Sequence, residues 1–241
     1  MKTAVITGAS GDIGKAVCKS FLADEYNVVA CFNQNEESAK SLEEYAVKSR
    51  LICIKANLAI QSEVKNLFSA AEREFGSVDV LVNNAAISMH GLFQNTTEDE
   101  LSEIIDINIK GVFYASQEAV RLMLRHHSGS IVNISSMWGE VGASTEVAYS
   151  MTKSAVIGLT KALAKEVGPS GIRVNCVSPG LIDTKMNSCF TQEDLDAICD
   201  ETPLMRIGTP DDVASAVKYL AGDSAAFITG QILGVNGGYV I

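Results

Sequence analysis

The stretch TAVITGASGDIG, residues 3–14, decides the fold, because it joins an apolar run to a glycine-rich turn and a helix start. Thr3–Thr7 is short and contiguously apolar, which is typical of a parallel strand buried on both faces. Gly8, Gly11 and Gly14 permit a tight turn and a close approach of the backbone to a ligand. The amphipathic residues Asp12–Ala23 follow, and the N–H groups at a helix start attract anions. The stretch therefore predicts a strand, a phosphate-binding turn and a helix.

The rest of the chain repeats this alternation of short apolar runs and longer amphipathic stretches. Further strands are predicted at Asn27–Phe32, Arg50–Lys55, Val78–Asn83, Ser130–Ser135, Ile172–Ser178 and Gln231–Val235. Further helices are predicted at Glu36–Lys48, Gln61–Phe75, Thr97–Arg125, Tyr149–Gly168 and Pro210–Gly222. The alternation favours right-handed βαβ crossovers. We expect an α/β fold with a Rossmann-like, doubly wound parallel seven-stranded sheet, helices on both faces, and a single domain over residues 1–241.

Composition excludes several function classes. The chain has 241 residues, of which 47% are hydrophobic and 20% charged, and this balance is typical of a globular domain. The net charge of −10 and the lack of a Lys/Arg cluster argue against nucleic-acid binding. The cysteines form no C-x-x-C pair, so we expect reduced thiols and no metal site. No signal peptide precedes the first strand and no apolar run reaches about 20 residues, so we expect a cytoplasmic protein without membrane contact.

Tyr149 and Lys153 are the candidate catalytic pair. They lie four residues apart at a predicted helix start and share one face. A nearby ammonium favours a phenolate, so we expect the pKa of Tyr149 to be lowered towards neutral pH, as suits a general acid/base. Ser136 ends the fifth predicted strand, and the carboxyl ends of parallel strands share one crevice. Asn108 lies inside a predicted helix, where asparagine is disfavoured; by itself it reads as a polar residue facing water.

These motifs resemble the single-domain branch of the short-chain dehydrogenase/reductase family, whose glycine motif is T-G-x-x-x-G-x-G. Asp12 departs from this pattern, and its carboxylate lies near the phosphates or caps the helix. The resemblance covers residues 3–238 and implies four catalytic residues. Tyr149 would protonate the substrate oxygen, Ser136 would stabilise that oxygen and Lys153 would orient the cofactor ribose. Asn108 would hold a water that links Lys153 to solvent.

The resemblance also implies a nicotinamide dinucleotide along the carboxyl edge of the sheet. The implied contacts are Gly8, Ser10, Asp12, Ile13, Asn33, Gln34, Asn57, Leu58, Asn84, Ala85, Tyr149, Lys153, Pro179, Gly180, Ile182 and Thr184. No acid ends the second strand at Asn33 and Gln34, where a carboxylate would select NAD(H). We therefore expect NADP(H). NAD(H) is the alternative, because the arginine of many NADP-preferring relatives is also missing.

The family resemblance is greatest to 3-oxoacyl-[acyl-carrier-protein] reductases of fatty acid biosynthesis. It implies an NADPH-dependent carbonyl reductase that converts a 3-oxoacyl thioester to the 3-hydroxyacyl form. An acidic carrier protein needs a basic docking patch. Arg121, Arg125, His126 and His127 are the candidates, and the alternative is a solvated helix end.

Residues 136–149 contain the sole tryptophan, Trp138, and two acids, Glu140 and Glu146. They are similar to a subgroup that reduces the aminopentanone modification on a lysine of elongation factor P. The acids would pair with the amine of that substrate or face solvent. Two other functions stay open: a sugar or polyol dehydrogenase, and a non-catalytic nicotinamide-binding protein.

Residues 185–202, called here the lid segment, would cover the substrate pocket. Phe190, Leu195 and Ile198 would form its apolar inner face. The resemblance implies a homotetramer with the Tyr149–Gly168 helix and the last strand at its interfaces. It implies no metal.

Overall fold

The computed structural model describes residues 1–46, 49–188 and 190–241. Seven parallel strands form a sheet in the order β3-β2-β1-β4-β5-β6-β7. The strands are β1 (Thr3–Thr7), β2 (Asn27–Phe32), β3 (Leu51–Lys55), β4 (Val80–Asn83), β5 (Gly129–Ile134), β6 (Ile172–Pro179) and β7 (Ile232–Val235). The strand order reverses between β1 and β4, which leaves a crevice at their carboxyl ends. The predicted Rossmann-like, doubly wound sheet is thus confirmed.

Helices cover both faces of the sheet. They are α1 (Asp12–Ala23), α2 (Glu36–Lys40), α3 (Gln61–Phe75), α4 (Glu98–Ile105), α5 (Val112–Met123), α6 (Met137–Val141), α7 (Val147–Val167), α8 (Gln192–Glu201) and α9 (Pro210–Ala221). One core cluster packs Phe21 of α1 and Val217 of α9 against the sheet. The other packs Phe68 of α3 and Ala115 of α5 against the opposite face. β1 is buried along its whole length, as its contiguous apolar sequence predicts.

Two predicted helices differ in the structure. The helix predicted at Thr97–Arg125 is divided into α4 and α5 by a π-helical segment, Asp106–Gly111. Such a segment admits an extra residue per turn, and here it turns the Asn108 side chain towards α7. The helix predicted at Glu36–Lys48 becomes a 3₁₀ turn at Ser41–Tyr45, and its last two residues lie outside the described part of the chain.

The short helix α6 was not predicted. Ser136 caps it by accepting a hydrogen bond from the main-chain N–H of Trp138 at 3.2 Å. A side-chain cap begins α9: Thr209 accepts from Asp212 N–H, and Pro210 occupies the first turn. Across the described residues, no helix combines the length and apolar character that a membrane span requires.

Candidate active site

A cleft of ≈ 1310 Å³ lies along the carboxyl ends of the strands. It extends from the ends of β2 and β3, past the glycine turn, to the loop after β5 and the lid segment. The predicted site residues that line it are Gly8, Ser10, Asp12, Ile13, Asn33, Gln34, Asn57, Leu58, Asn84, Ala85, Ser136, Tyr149, Lys153, Pro179, Gly180, Ile182 and Thr184. Asn108 is the predicted site residue that does not line it.

The glycine turn needs its glycines. Gly8 has a φ of 66°, and a Cβ there would lie 2.8 Å from the Cα of Ala85. A Cβ on Gly14 would lie 2.2 Å from the carbonyl oxygen of Gly8, so α1 packs directly on the turn. The first N–H groups of a helix have no intrahelical partner and attract anions. The turn therefore fits the diphosphate of a nicotinamide dinucleotide.

Asp12 does not cap α1, which corrects one of the two expectations for it. The N-cap is Gly11, and no side chain accepts from the first turn of the helix. The Asp12 carboxylate instead accepts a hydrogen bond from the main-chain N–H of Lys185 at 2.8 Å. It therefore joins the glycine turn to the beginning of the lid segment.

Asn84 fastens the glycine turn to β4. Its side-chain amide donates to the carbonyl oxygens of Thr7 at 3.0 Å and Gly8 at 3.1 Å. In return, the Thr7 hydroxyl accepts from the main-chain N–H groups of Asn84 and Ala85. These contacts fix the two loops that border the crevice where the strand order reverses.

The cleft end at β2 and β3 is lined by amides. Asn33 and Gln34 are exposed at the end of β2, and no carboxylate occupies those two positions. The Asn57 side-chain oxygen accepts from Ala59 N–H at 3.0 Å, which holds the turn after β3. Glu36, in the first turn of α2, is paired with Lys40 at 2.7 Å.

Lys55 was missed by the sequence analysis. It ends β3, directly beside Phe32 in the strand register, and it is exposed. The N–H of Ala56 donates to the Phe32 carbonyl at 2.9 Å, so the two strand ends are held together. Lys55 does not itself line the cleft, but its positive charge lies at the strand end beside that of Asn33. The position of Lys55 at the end of a predicted strand could have been read from the sequence. Its pairing with Phe32 on the neighbouring strand could not.

Ser136, Tyr149 and Lys153 converge in the cleft. The Ser136 hydroxyl lies near the Tyr149 phenol, where it favours the phenolate form and so acts to lower the pKa of Tyr149. Tyr149 lies in the first turn of α7, and Lys153 follows one turn later on the same face, with its Nζ 5.6 Å from the tyrosine ring centre. Lys153 is buried, with 4% of its surface exposed, and its Nζ donates to the Ile134 carbonyl at 2.9 Å.

The pKa of Tyr149 moves in the direction opposite to the expectation. Burial raises this pKa, the nearby Glu146 carboxylate raises it further, and the Ser136 hydroxyl opposes both. Burial also lowers the pKa of Lys153 from 10.5 to about 8. The expectation weighed the ammonium and left out the desolvation of the phenol. At neutral pH the phenol therefore keeps its proton and the lysine is mostly charged.

Asn108 lies behind the cleft wall. Its side-chain oxygen accepts from Ile87 N–H at 2.9 Å, and its amide donates to the Ile87 carbonyl at 2.9 Å and the Thr152 hydroxyl at 3.1 Å. Thr152 immediately precedes Lys153 on α7. Asn108 therefore ties the loop after β4 to the helix that carries the tyrosine and the lysine.

The loop after β6 forms another part of the cleft wall. The N–H of Gly180 donates to the Val235 carbonyl at 3.0 Å, and a Cβ on Gly180 would lie 2.8 Å from the Cα of Asn236. Ile182 is buried and forms an isolated bridge with Gly208. The close packing fixes Pro179 to Thr184 along the cleft.

The two acids near Tyr149 differ in environment. Glu140 is exposed and does not line the cleft. Glu146 lines it, is 8% exposed, and has burial as the main cause of its raised pKa. The His90 ring also lines the cleft, and its Nδ1 lies 3.7 Å from the Glu146 carboxylate.

The predicted basic docking patch does not lie beside the cleft of this chain. Arg121 is paired with Glu118, and Arg125 is paired with Glu72. The group lies between the end of α5 and the start of β5, at the amino edge of the sheet. The cleft lies at the carboxyl edge, on the other side of the molecule.

Comparison with known proteins identifies the family. Residues 8–240 match the family model described as Enoyl-(Acyl carrier protein) reductase. The chain is 40% identical over 240 residues to the 3-oxoacyl-[acyl-carrier-protein] reductase FabG of Staphylococcus aureus, covering 98% of this chain and 97% of that protein. It is 39% identical over 243 residues to the uncharacterized oxidoreductase YmfI of Bacillus subtilis, covering 99% of this chain and 98% of that protein. The chain belongs to the short-chain dehydrogenase/reductase family and is an NAD(P)-dependent oxidoreductase acting on CH–OH or C=O groups.

Proposed function

We propose that this protein uses NADPH to reduce the ketone of a 3-oxoacyl thioester, carried on an acyl carrier protein, to the 3-hydroxyacyl form. The observation that supports it most is that Ser136, Tyr149 and buried Lys153 line the same cleft as the glycine turn. The 36–40% identity to proteins named 3-oxoacyl-[acyl-carrier-protein] reductase supports the substrate class.

The roles of the residues follow from their chemistry. A reduced nicotinamide, when bound, supplies the hydride for the carbonyl carbon. The Tyr149 phenol, held protonated by burial, donates its proton to the substrate oxygen as that oxygen gains charge. The Ser136 hydroxyl donates a hydrogen bond to the same oxygen. The charged Lys153 side chain lies one helical turn away and orients the cofactor ribose.

The preference for NADPH is supported by the charges at the β2–β3 end of the cleft. No carboxylate at Asn33 or Gln34 would repel a 2′-phosphate, and Glu36 is neutralised by Lys40. Lys55 supplies a positive charge at the neighbouring strand end. We expect kcat/KM to be larger with NADPH than with NADH, and a clear preference for NADH would contradict this assignment.

A second candidate is reduction of the aminopentanone group on a lysine of elongation factor P, and one observation favours it. Glu146 is a carboxylate nine-tenths buried in the cleft wall near the reactive tyrosine. Burying a carboxylate is costly, and the raised pKa of Glu146 shows that the His90 ring at 3.7 Å offsets only part of that cost. An ammonium on the substrate would offset it, whereas an uncharged acyl chain would not.

A substrate panel separates these functions. Purified protein with NADPH is supplied with an acetoacetyl thioester on carrier protein, small ketones, and elongation factor P bearing the aminopentanone group; polyols are tested with NADP⁺. Highest kcat/KM on the acetoacetyl thioester supports the first function. Turnover of the modified elongation factor alone supports the second, and polyol oxidation alone contradicts both. Dinucleotide binding without any turnover would indicate a non-catalytic protein.

We also infer a homotetramer. Apolar side chains of α5 and α7 are exposed, including Phe113, Val147 and Met151, and so are Phe227 and Ile241 near the C-terminus. Exposed apolar surface on two sides of a chain is typical of oligomer interfaces. Light scattering should give about four times the chain mass of 25.6 kDa, and a monomer would contradict the inference.

A further inference from the structure

Asp12 joins two walls of the cleft. It is the first residue of α1, and its carboxylate oxygen accepts from the Lys185 N–H at 2.8 Å. Lys185 begins the 3₁₀ turn Lys185–Asn187, which opens the lid segment. Both residues line the cleft. Among the residues that the structure describes, no second hydrogen bond connects residues 7–14 with the lid segment.

The turn that Asp12 holds is fixed within itself. The Asn187 N–H donates to the Thr184 carbonyl at 3.0 Å, and the Asn187 side-chain amide donates to the Ile182 carbonyl at 2.7 Å. These bonds stay within residues 182–187, and a single turn is marginal by itself, so they persist only while the turn is held in place. Gly208 holds the beginning of the segment, because its carbonyl accepts from the Asp183 N–H at 2.9 Å. The bond to Asp12 holds Lys185–Asn187 against α1.

The same carboxylate opposes an anionic ligand. It lies at the start of α1, where the free N–H groups and the helix dipole attract a diphosphate. A negative charge a few ångströms from a phosphate lowers affinity about fivefold even at the dielectric constant of water. Glycine at this position would avoid the repulsion, but it would have no acceptor for Lys185.

We propose that Asp12 is a positioning residue: its carboxylate holds the turn Lys185–Asn187 over the glycine turn before the cofactor binds, and it weakens cofactor binding in doing so. The part concerning affinity rests on the proposed function. The part concerning position depends on this chain alone.

Amide hydrogen exchange on the cofactor-free protein tests the position. Asp12→Ala removes the acceptor, and Lys185→Pro removes the donor while leaving the carboxylate in place. Both should speed exchange of the Asn187 amide about tenfold. Asp12→Asn keeps an oxygen acceptor and should retain most of the protection, as should the control Asp183→Asn, which alters a neighbouring exposed acid. Unchanged Asn187 exchange in Asp12→Ala or Lys185→Pro would overturn the proposal.

Dinucleotide binding tests the charge. Asp12→Asn should bind NADPH about fivefold more tightly than the wild type at low salt, and the gain should shrink at 1 M salt. Asp183→Asn should give a smaller change. Equal affinity of Asp12→Asn and the wild type would overturn the part concerning affinity. A wild type that binds no dinucleotide would contradict the proposed function, and the exchange result would still decide the position.

Discussion

Substituting methionine for Lys153 separates the contribution of this residue to turnover from its effect on stability. Burial lowers the pKa of Lys153 from 10.5 to about 8, which corresponds to about 3 kcal/mol of unfolding free energy lost at neutral pH. Methionine is of similar length and carries no charge. It leaves the Ile134 carbonyl without its 2.9 Å donor, which costs about 1–2 kcal/mol. We expect Lys153→Met to raise the unfolding free energy by about 1–2 kcal/mol at pH 7 and to reduce turnover at least about a hundredfold.

The dependence on pH makes this prediction specific. Below pH 8 the lysine is protonated in both states, so the full cost of its burial is present. Between pH 8 and 10.5 the unfolded state binds one more proton than the folded state. The unfolding free energy of the wild type therefore increases relative to that of the variant as pH rises. Urea unfolding of both proteins at pH 7 and 9.5 measures the change, because the other groups cancel between them.

An exposed lysine of the same helix, Lys161, provides the control, since Lys161→Met should change stability by less than about 0.5 kcal/mol at either pH. The reasoning is refuted if Lys153→Met is less stable than the wild type at pH 7. It is also refuted if the stability difference between the two proteins is the same at both pH values.

Three further changes test other parts of the site. Gly14→Ala would bring a Cβ to 2.2 Å from a main-chain oxygen, so the unfolding free energy should fall by about 2–4 kcal/mol, whereas Gly158→Ala, in open space on α7, should raise it by up to about 1 kcal/mol. Equal denaturation midpoints for the two variants would argue against the packing account. Lys55→Gln should lower kcat/KM for NADPH about tenfold and leave that for NADH within about twofold; a parallel loss for both cofactors would remove Lys55 from the 2′-phosphate site. Glu146→Gln removes a charge that raises the pKa of Tyr149, so the alkaline limb of the reduction profile should move to lower pH, and a shift to higher pH would contradict the direction.

The strands of this fold are predictable from local sequence, because a strand buried on both faces reads as a contiguous apolar run. β1 and β2 match their predicted bounds, and the other strands differ by one or two residues at one or both ends. The π-helical segment was not predicted from local sequence, and the hydrogen bonds that Asn108 makes inside it reach Ile87, 21 positions away. The short helix α6 begins at its cap Ser136, and where that cap falls depends on where β5 ends.

The location of the site was predictable for a related reason. Residues that follow parallel strands share one edge of the sheet, so the predicted cofactor residues after β1, β2, β4 and β6 line one cleft. The expectations that proved wrong concerned properties set by burial or by residues far away in the sequence. The pKa of Tyr149 is raised because the phenol is desolvated, and the Asp12 carboxylate meets Lys185, 173 positions away.

The central claim is that Tyr149 supplies the proton in a cleft that also holds the nicotinamide dinucleotide. Its most direct test measures NADPH binding and NADPH oxidation by an acetoacetyl thioester on the same samples of wild type and Tyr149→Phe. The account predicts dissociation constants within about threefold of each other and turnover at least about a thousandfold lower in the variant. A Tyr149→Phe protein that turns over at a rate near the wild type would contradict it.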